Sequence, residues 1–331
     1  MMKPILGITL GEAAGIGPEI IAKLISNNRL TLYCRPVIIG DARVLELGKK
    51  IAGVTFPVRI VEDVAAIDWH GPISILDQKN FDPTNLEMGK MDIDSGRVTG
   101  DTLLAALGLL DTGAIQGMVF APLNKQAFIR GGHDYEDEHA MFREFFKWEK
   151  PAGIMNVLDK LWTFRVTCHI PISEVAGSLN QENILRSIQL ADGTLRLAGY
   201  ERPRIGVAAL NPHSGEGGLC GREEIEIILP AIEAARAENI EALGPFSADT
   251  IFIAAFKGAY DAVVTMYHDQ GQIATKLIGF DIGVTVAAGL PYPITTPEHG
   301  TAFDIAGQGV AKTDATEKAI EIAAKMAGWR G

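Results

Sequence analysis

At 331 residues with a formal net charge of −11, the chain is long enough for two lobes around a large buried core. Its charge has the wrong sign for nucleic acid or an anionic membrane as the main partner, and any anionic substrate needs a locally positive site. The three cysteines, Cys34, Cys168 and Cys220, are odd in number and form no CxxC. Reduced thiols follow, and the cytoplasm is the expected compartment, because residues 5–10 are too short for a signal peptide and no apolar run reaches a membrane span.

In chain order, residues 4–10 read as a first strand, followed by Gly11-Glu12-Ala13-Ala14-Gly15-Ile16-Gly17-Pro18-Glu19 and an apolar helix to about residue 25. The glycine spacing is not GxGxxG and no Walker lysine follows, so the segment is a weak phosphate loop that a tight turn before a helix mostly explains. Residues 35–40 form a second strand, with Asp41 capping a helix over 42–51, and short strands follow around 55–61 and 73–76. A long amphipathic helix covers 97–110, and a strand over 117–120 ends at Ala121-Pro122-Leu123-Asn124-Lys125, where Lys125 is either solvated or a partner for a carboxylate. The stretch 130–139 sets four acids between His133 and His139. It reads as a solvated loop, with a carboxylate-rich metal site as the alternative. Further strands are expected at 155–158, 163–167, 204–210 and 283–288 and in the apolar run from 262 that reaches His268, and helices at 140–148, 184–197, 223–237 and 315–326, with 215–221 a flexible turn. Strands and helices alternate throughout without a linker or repeat. That predicts an α/β fold with a largely parallel sheet, two lobes of one unit over 1–331 whose boundary the sequence does not mark.

Three apolar runs close in a histidine: Thr167-Cys168-His169, Asn211-Pro212-His213 and Tyr267-His268-Asp269. Parallel sheets build sites at the carboxyl ends of their strands, and rigid strand ends hold imidazoles fixed, as a divalent ion requires. No local spacing such as HExxH supports the assignment, so three ordinary polar turns remain the alternative, and Cys168 is either core or a further ligand. Three imidazoles favour zinc or cobalt over magnesium, and such an ion polarises a hydroxyl and the carbonyl formed as hydride leaves it.

Taken together, Gly11-Glu12 with Gly15-Ile16-Gly17-Pro18-Glu19, Ala121-Pro122-Leu123-Asn124-Lys125, Asn211-Pro212-His213-Ser214-Gly215-Glu216-Gly217-Gly218, Ala248-Asp249-Thr250, Tyr267-His268-Asp269-Gln270-Gly271 and His299-Gly300-Thr301-Ala302-Phe303-Asp304-Ile305-Ala306-Gly307 resemble the 4-hydroxythreonine-4-phosphate dehydrogenase family of pyridoxal phosphate biosynthesis, in order and over nearly the whole chain. The resemblance implies two α/β/α lobes with a cleft between them, as in isocitrate and isopropylmalate dehydrogenases. It implies NAD- or NADP-dependent oxidation of a 3-hydroxy acid with loss of carbon dioxide, a divalent metal (zinc first, cobalt or magnesium as alternatives), and a homodimer with a shared site. By the same resemblance His169, His213 and His268 are metal ligands, the last from the partner subunit. Asp249, Asp269 and Lys276 are catalytic, His139 and Lys276 contact substrate, and the cofactor lies along a segment including Gly289, Leu290, Pro291 and Thr296. Asp269 beside His268 also suits orienting a ligand or taking a proton, and Lys276 suits neutralising an anion.

This chain departs from the family at the phosphate end of the substrate, with Ala140, Thr285 and Ile294 where the family has threonine, asparagine and arginine. Isoleucine cannot replace the forked, permanently charged arginine clamp, a loss of ~2 kcal/mol or more. Glu136, Asp137 and Glu138 would oppose a dianion further if they face the site. The reading that follows is a dehydrogenase acting on a small hydroxy acid other than the biosynthetic phosphate ester. The alternatives are the biosynthetic enzyme itself, a non-catalytic binding protein on the same fold or, without any GxSxG to support it, an acyltransferase. His299 is either catalytic or a helix cap.

Overall fold

A computed structural model describes residues 2–279 and 282–330. The strands are β1 (Ile5–Thr9), β2 (Arg35–Gly40), β3 (Val58–Val61), β4 (Ile73–Asp77), β5 (Gly117–Val119), β6 (Gly153–Leu158), β7 (Leu161–Arg165), β8 (Arg204–Ala208), β9 (Glu241–Phe246), β10 (Ala262–Thr265), β11 (Val284–Ala288) and β12 (Ile294–Pro297). Helices fill most of the connections, as the alternating pattern predicts. The chain divides into two compact units, one of Met1–Glu149 with Leu290–Gly331 and one of Lys150–Gly289.

In the first unit the strand order is β3-β4-β2-β1-β5-β12, every pairing parallel. Parallel strands covered on both faces read as unbroken apolar runs. Leu6, Ile8, Val37, Ile38, Ile39, Ile75, Met118 and Val119 have no exposed surface and form that core. The helix Ile93–Asp111 begins at Asp92, whose side chain accepts the Ser95 N–H, and it packs through Gly96 and Gly100 against Ala127 and His133. His133 stacks on Phe128, and its Nε2 lies 2.9 Å from the Arg97 carbonyl.

The second unit runs β11-β6-β7-β10-β8-β9, antiparallel at β11-β6 and β6-β7 and parallel thereafter. Two of the twelve strands lie outside the sequence expectation. β9 contains Gly244-Pro245, which reads as a breaker, and among the described residues β9 is the edge strand of the sheet, the kind of position where proline is tolerated. β12 is four residues between prolines, too short to show a period. Within the expected turn at 215–221, Gly215, Glu216, Gly217, Gly218 and Gly221 have positive φ. Among the described residues no helix is long and apolar enough to cross a membrane.

Candidate functional site

β7, β10 and β8 are neighbours and parallel, so their carboxyl ends share one edge of the second unit, and His169, His268 and His213 follow those ends. Past β7 and β10 the two chains stay tied. Val166 N–H donates to the Thr265 carbonyl at 2.9 Å, and the Thr167 hydroxyl donates to the Met266 carbonyl at 2.8 Å. Gln270, whose role the sequence did not reveal, pins the next connection by accepting from Met266 N–H and donating to the Ala209 carbonyl, both at 2.8 Å. The result places the His169 and His268 rings with centroids 5.7 Å apart. They border an open cavity of about 280 Å³ with Cys168, Ile170, Tyr267 and Asp269. Asp269 lies 2.7 Å from His268 Nδ1, a contact that favours the proton on Nδ1 and leaves the lone pair on Nε2.

His213 stands on an unusual turn. His213, Ser214, Gly215, Glu216 and Gly217 all have positive φ, between 46° and 77°. Each of the three non-glycine residues costs ~1–2 kcal/mol in that conformation. Its Nδ1 lies 2.6 Å from a Glu216 carboxylate oxygen, repeating the arrangement at His268. His213 is not gathered with the other two rings: among the described residues no group of three or more His, Cys, Asp or Glu side chains is placed to hold an ion. The resemblance gives His268 to the partner subunit's site; within this chain its ring lies beside that of His169.

Elsewhere in the second unit, Asp249 is exposed in the first turn of the helix Ala248–Phe256, and Asp269 and Lys276 are exposed on the helix His268–Gly279. Seven residues bring Asp269 and Lys276 back to one helix face, roughly 10 Å apart along the axis. Thr285 on β11 accepts from Asn156 Nδ2 at 3.3 Å, and Asn156 in turn accepts from Gln272, a buried polar chain beneath that helix.

In the first unit His139 lies on the helix Glu138–Phe145, which starts two residues earlier than its apolar pattern suggests because Asp137 caps it, accepting Ala140 N–H at 2.8 Å. That cap accounts for part of the acidic run. Burial pushes the His139 imidazole below its ordinary value, with Glu138 and Asp137 acting against the shift and Lys125 adding to it. Its Nδ1 is buried without a hydrogen-bond partner in the structure. The glycine-rich segment after β1 is not a phosphate loop, since Glu12 through Pro18 are buried and Gly11, at φ +70°, abuts the Pro122 carbonyl. Burial raises the Glu12 carboxyl from 4.5 to about 7, with Asp92 contributing and Ser95 opposing.

Three of the expected contacts with substrate or cofactor have another structural occupation. Ile294 is 0 % exposed and belongs to the core, so it offers a substrate no surface. The Thr296 hydroxyl donates to the Phe120 carbonyl at 2.8 Å. Gly289, at φ +79°, is required by the close approach of the Pro151 carbonyl. Leu290 is buried and Pro291 exposed. His299 Nδ1 lies 3.1 Å from the Gly300 carbonyl.

The family model described as pyridoxal phosphate biosynthetic protein PdxA matches residues 32–323. The chain belongs to the PdxA family. It is 45% identical to a Pseudomonas aeruginosa protein provisionally named 4-hydroxythreonine-4-phosphate dehydrogenase 2, over 98% of this chain and 97% of the relative. It is 37% identical to the D-threonate 4-phosphate dehydrogenase of Cupriavidus necator, over 98% and 97%. A crystal structure of 4-hydroxythreonine-4-phosphate dehydrogenase from Klebsiella pneumoniae superposes with a TM-score of 0.86 at 36% identity, covering 98% of this chain and 99% of that one. These PdxA relatives are named dehydrogenases, and the chain is an enzyme of the oxidoreductase class.

Proposed function

We propose that this PdxA-family enzyme is a metal- and NAD(P)-dependent dehydrogenase of a 3-hydroxy acid other than 4-hydroxythreonine 4-phosphate, and that it works as a homodimer. The donor chemistry supports the metal. His268 and His213 each have Nδ1 against a carboxylate, Asp269 and Glu216, the arrangement that fixes an imidazole for coordination through Nε2. His169 beside His268 supplies the third imidazole of the proposed set, and N-donor ligation of this kind suits zinc. When bound, the ion supplies Lewis acidity for the substrate hydroxyl and the carbonyl it becomes.

The chain's own groups divide the remaining work. Lys276 neutralises a substrate carboxylate, while Asp269 holds His268 and lies on the same helix face. Asp249 is the proposed acceptor of the hydroxyl proton, being an exposed carboxylate not committed to an imidazole. His139, kept neutral by burial, is a hydrogen-bonding rather than a charged contact to substrate. When bound, a pyridine nucleotide would supply the hydride acceptor, and the 3-oxo acid formed would then be free to lose carbon dioxide.

The observation that carries the substrate reading is Ile294, a core residue where the resemblance expects an arginine clamp. The helix carrying His139 adds to it. Its N-terminus, otherwise attractive to phosphate, is already occupied by the Asp137 carboxylate with Glu138 in its first turn. The dimer reading rests on Ile273, Leu277 and Ile278, exposed by 59, 81 and 63 % on the very helix that bears His268, Asp269 and Lys276. Following reduced-nucleotide formation with 4-hydroxythreonine 4-phosphate, D-threonate 4-phosphate and their unphosphorylated parents tests the proposal. A strong preference for 4-hydroxythreonine 4-phosphate overturns it.

A further inference from the structure

We propose that Glu224 is a positioning residue of the metal centre, acting on His213 through Asn211 and the left-handed turn. This inference rests on the reading of His213 as a metal ligand. Glu224 is only 3 % exposed and opens a π-helical turn, Glu224–Ile228, a distortion that recurs at functional sites. Its carboxylate faces back onto the chain that leaves β8. One oxygen accepts the backbone N–H groups of Leu210 at 2.9 Å and Asn211 at 2.7 Å, and the other accepts Asn211 Nδ2 at 2.9 Å. The neighbouring Glu223 accepts from the same Asn211 amide at 2.7 Å, so that both amide hydrogens of Asn211 are directed at carboxylates.

Asn211 is where the left-handed course begins two residues later, and the turn closes against the same carboxylate. A Cβ built on Gly215, in the middle of the turn, would lie 2.6 Å from Glu224 Oε2. Glu224 therefore grips the entry of the turn and occupies the space inside it. His213, Ser214 and Glu216 have no intrinsic preference for positive φ, so the turn persists only while something outside it fixes its ends. Once it is fixed, Glu216 returns to within 2.6 Å of His213 Nδ1 and sets the ring. A carboxylate is needed for this grip because three N–H groups converge on it. An amide at the same place turns its own N–H₂ towards one of those donors.

Glu224→Gln is expected to weaken Zn²⁺ binding to the full-length protein about 10- to 100-fold, the usual consequence of losing a group that orients a ligand. Affinity is read by competition of the metal-free protein with a chromophoric chelator, alongside the denaturation midpoint. Glu224→Asp, which keeps the charge, should recover part of the affinity. Asn211→Ser, which removes the intermediary amide, should reproduce the loss and stands in if Glu224→Gln does not fold. The deciding comparison uses His213→Ala. If Glu224 acts through His213, then Glu224→Gln added to His213→Ala lowers Zn²⁺ affinity no further. Undiminished affinity in both Glu224→Gln and Asn211→Ser while His213→Ala loses it, or a full additional loss in the double variant, overturns the positioning role and leaves His213 a ligand. Unchanged affinity in His213→Ala overturns the ligand reading itself and the inference with it.

Discussion

Some side chains in this protein are tuned by burial rather than by partners, and Glu12 is one of them. It is 0 % exposed, and its carboxyl is raised from 4.5 to about 7 chiefly by loss of water. A carboxyl with a folded pKa above its unfolded one favours the native state below 4.5, and that contribution is lost as pH rises towards 7. A shift of this size corresponds to ~3 kcal/mol. Glu12→Gln, neutral at every pH, should therefore gain on the wild type between pH 4.5 and 7 by that order and hold the gain above it. Denaturant midpoints taken across the range check this, and parallel curves for the two proteins would show Glu12 to titrate normally. The sequence marks Glu12 only as part of a glycine-rich motif, because burial is a property of neighbours such as Ser95 and Asp92 that lie far along the chain. His139 illustrates the same limit. Its place after an acidic run is legible, but the cap at Asp137 and the buried Nδ1 are not.

Helix Ile93–Asp111 shows how an element's pattern conceals its tightest contacts. Apolar periodicity predicts the helix, yet the face that packs most closely is made of glycines. A Cβ at Gly100 would clash with the His133 ring, whereas one at Gly108 meets nothing within 4 Å. Alanine in place of glycine favours a helix by ~1 kcal/mol, and forcing a methyl into a packed contact costs ~1–3 kcal/mol. The two substitutions should thus differ in sign. Gly108→Ala should raise the thermal midpoint and Gly100→Ala should lower it by several degrees, as calorimetry on the two variants will report. Equal shifts would mean that His133 moves aside freely. The β7, β8 and β10 strands and the histidines that follow them were legible for the opposite reason, since an apolar run closing in an imidazole is a local signal. β9 and β12 were not, because prolines and glycine mask a pairing that only the adjoining strands reveal.

At the scale of the molecule, the proposed metal-binding homodimer carries a prediction of its own. His169 and His268 are side by side, but His213 is not gathered with them in this chain, and catalytic zinc ordinarily takes three protein ligands. The sequence supplies all three histidines and the resemblance supplies their sharing between subunits. What neither supplies is the surface that brings two chains together, because exposure is known only once the helix is placed. Ile273, Leu277 and Ile278 are exposed on the helix that starts at His268, so a partner covering them would lie against the helix that carries that imidazole. Burying an exposed leucine contributes ~1.5–3 kcal/mol to the subunit that does so, and replacing it by a carboxylate reverses the sign. Leu277→Glu, with its side chain 81 % exposed in the single chain, should leave each unit folded yet shift the protein to monomer in sedimentation analysis. Metal affinity should fall with it by more than the ~100-fold that loss of a supporting group costs, since a whole ligand is withdrawn. A stable monomer that still binds one zinc per chain with unchanged affinity would show that one polypeptide closes the site alone.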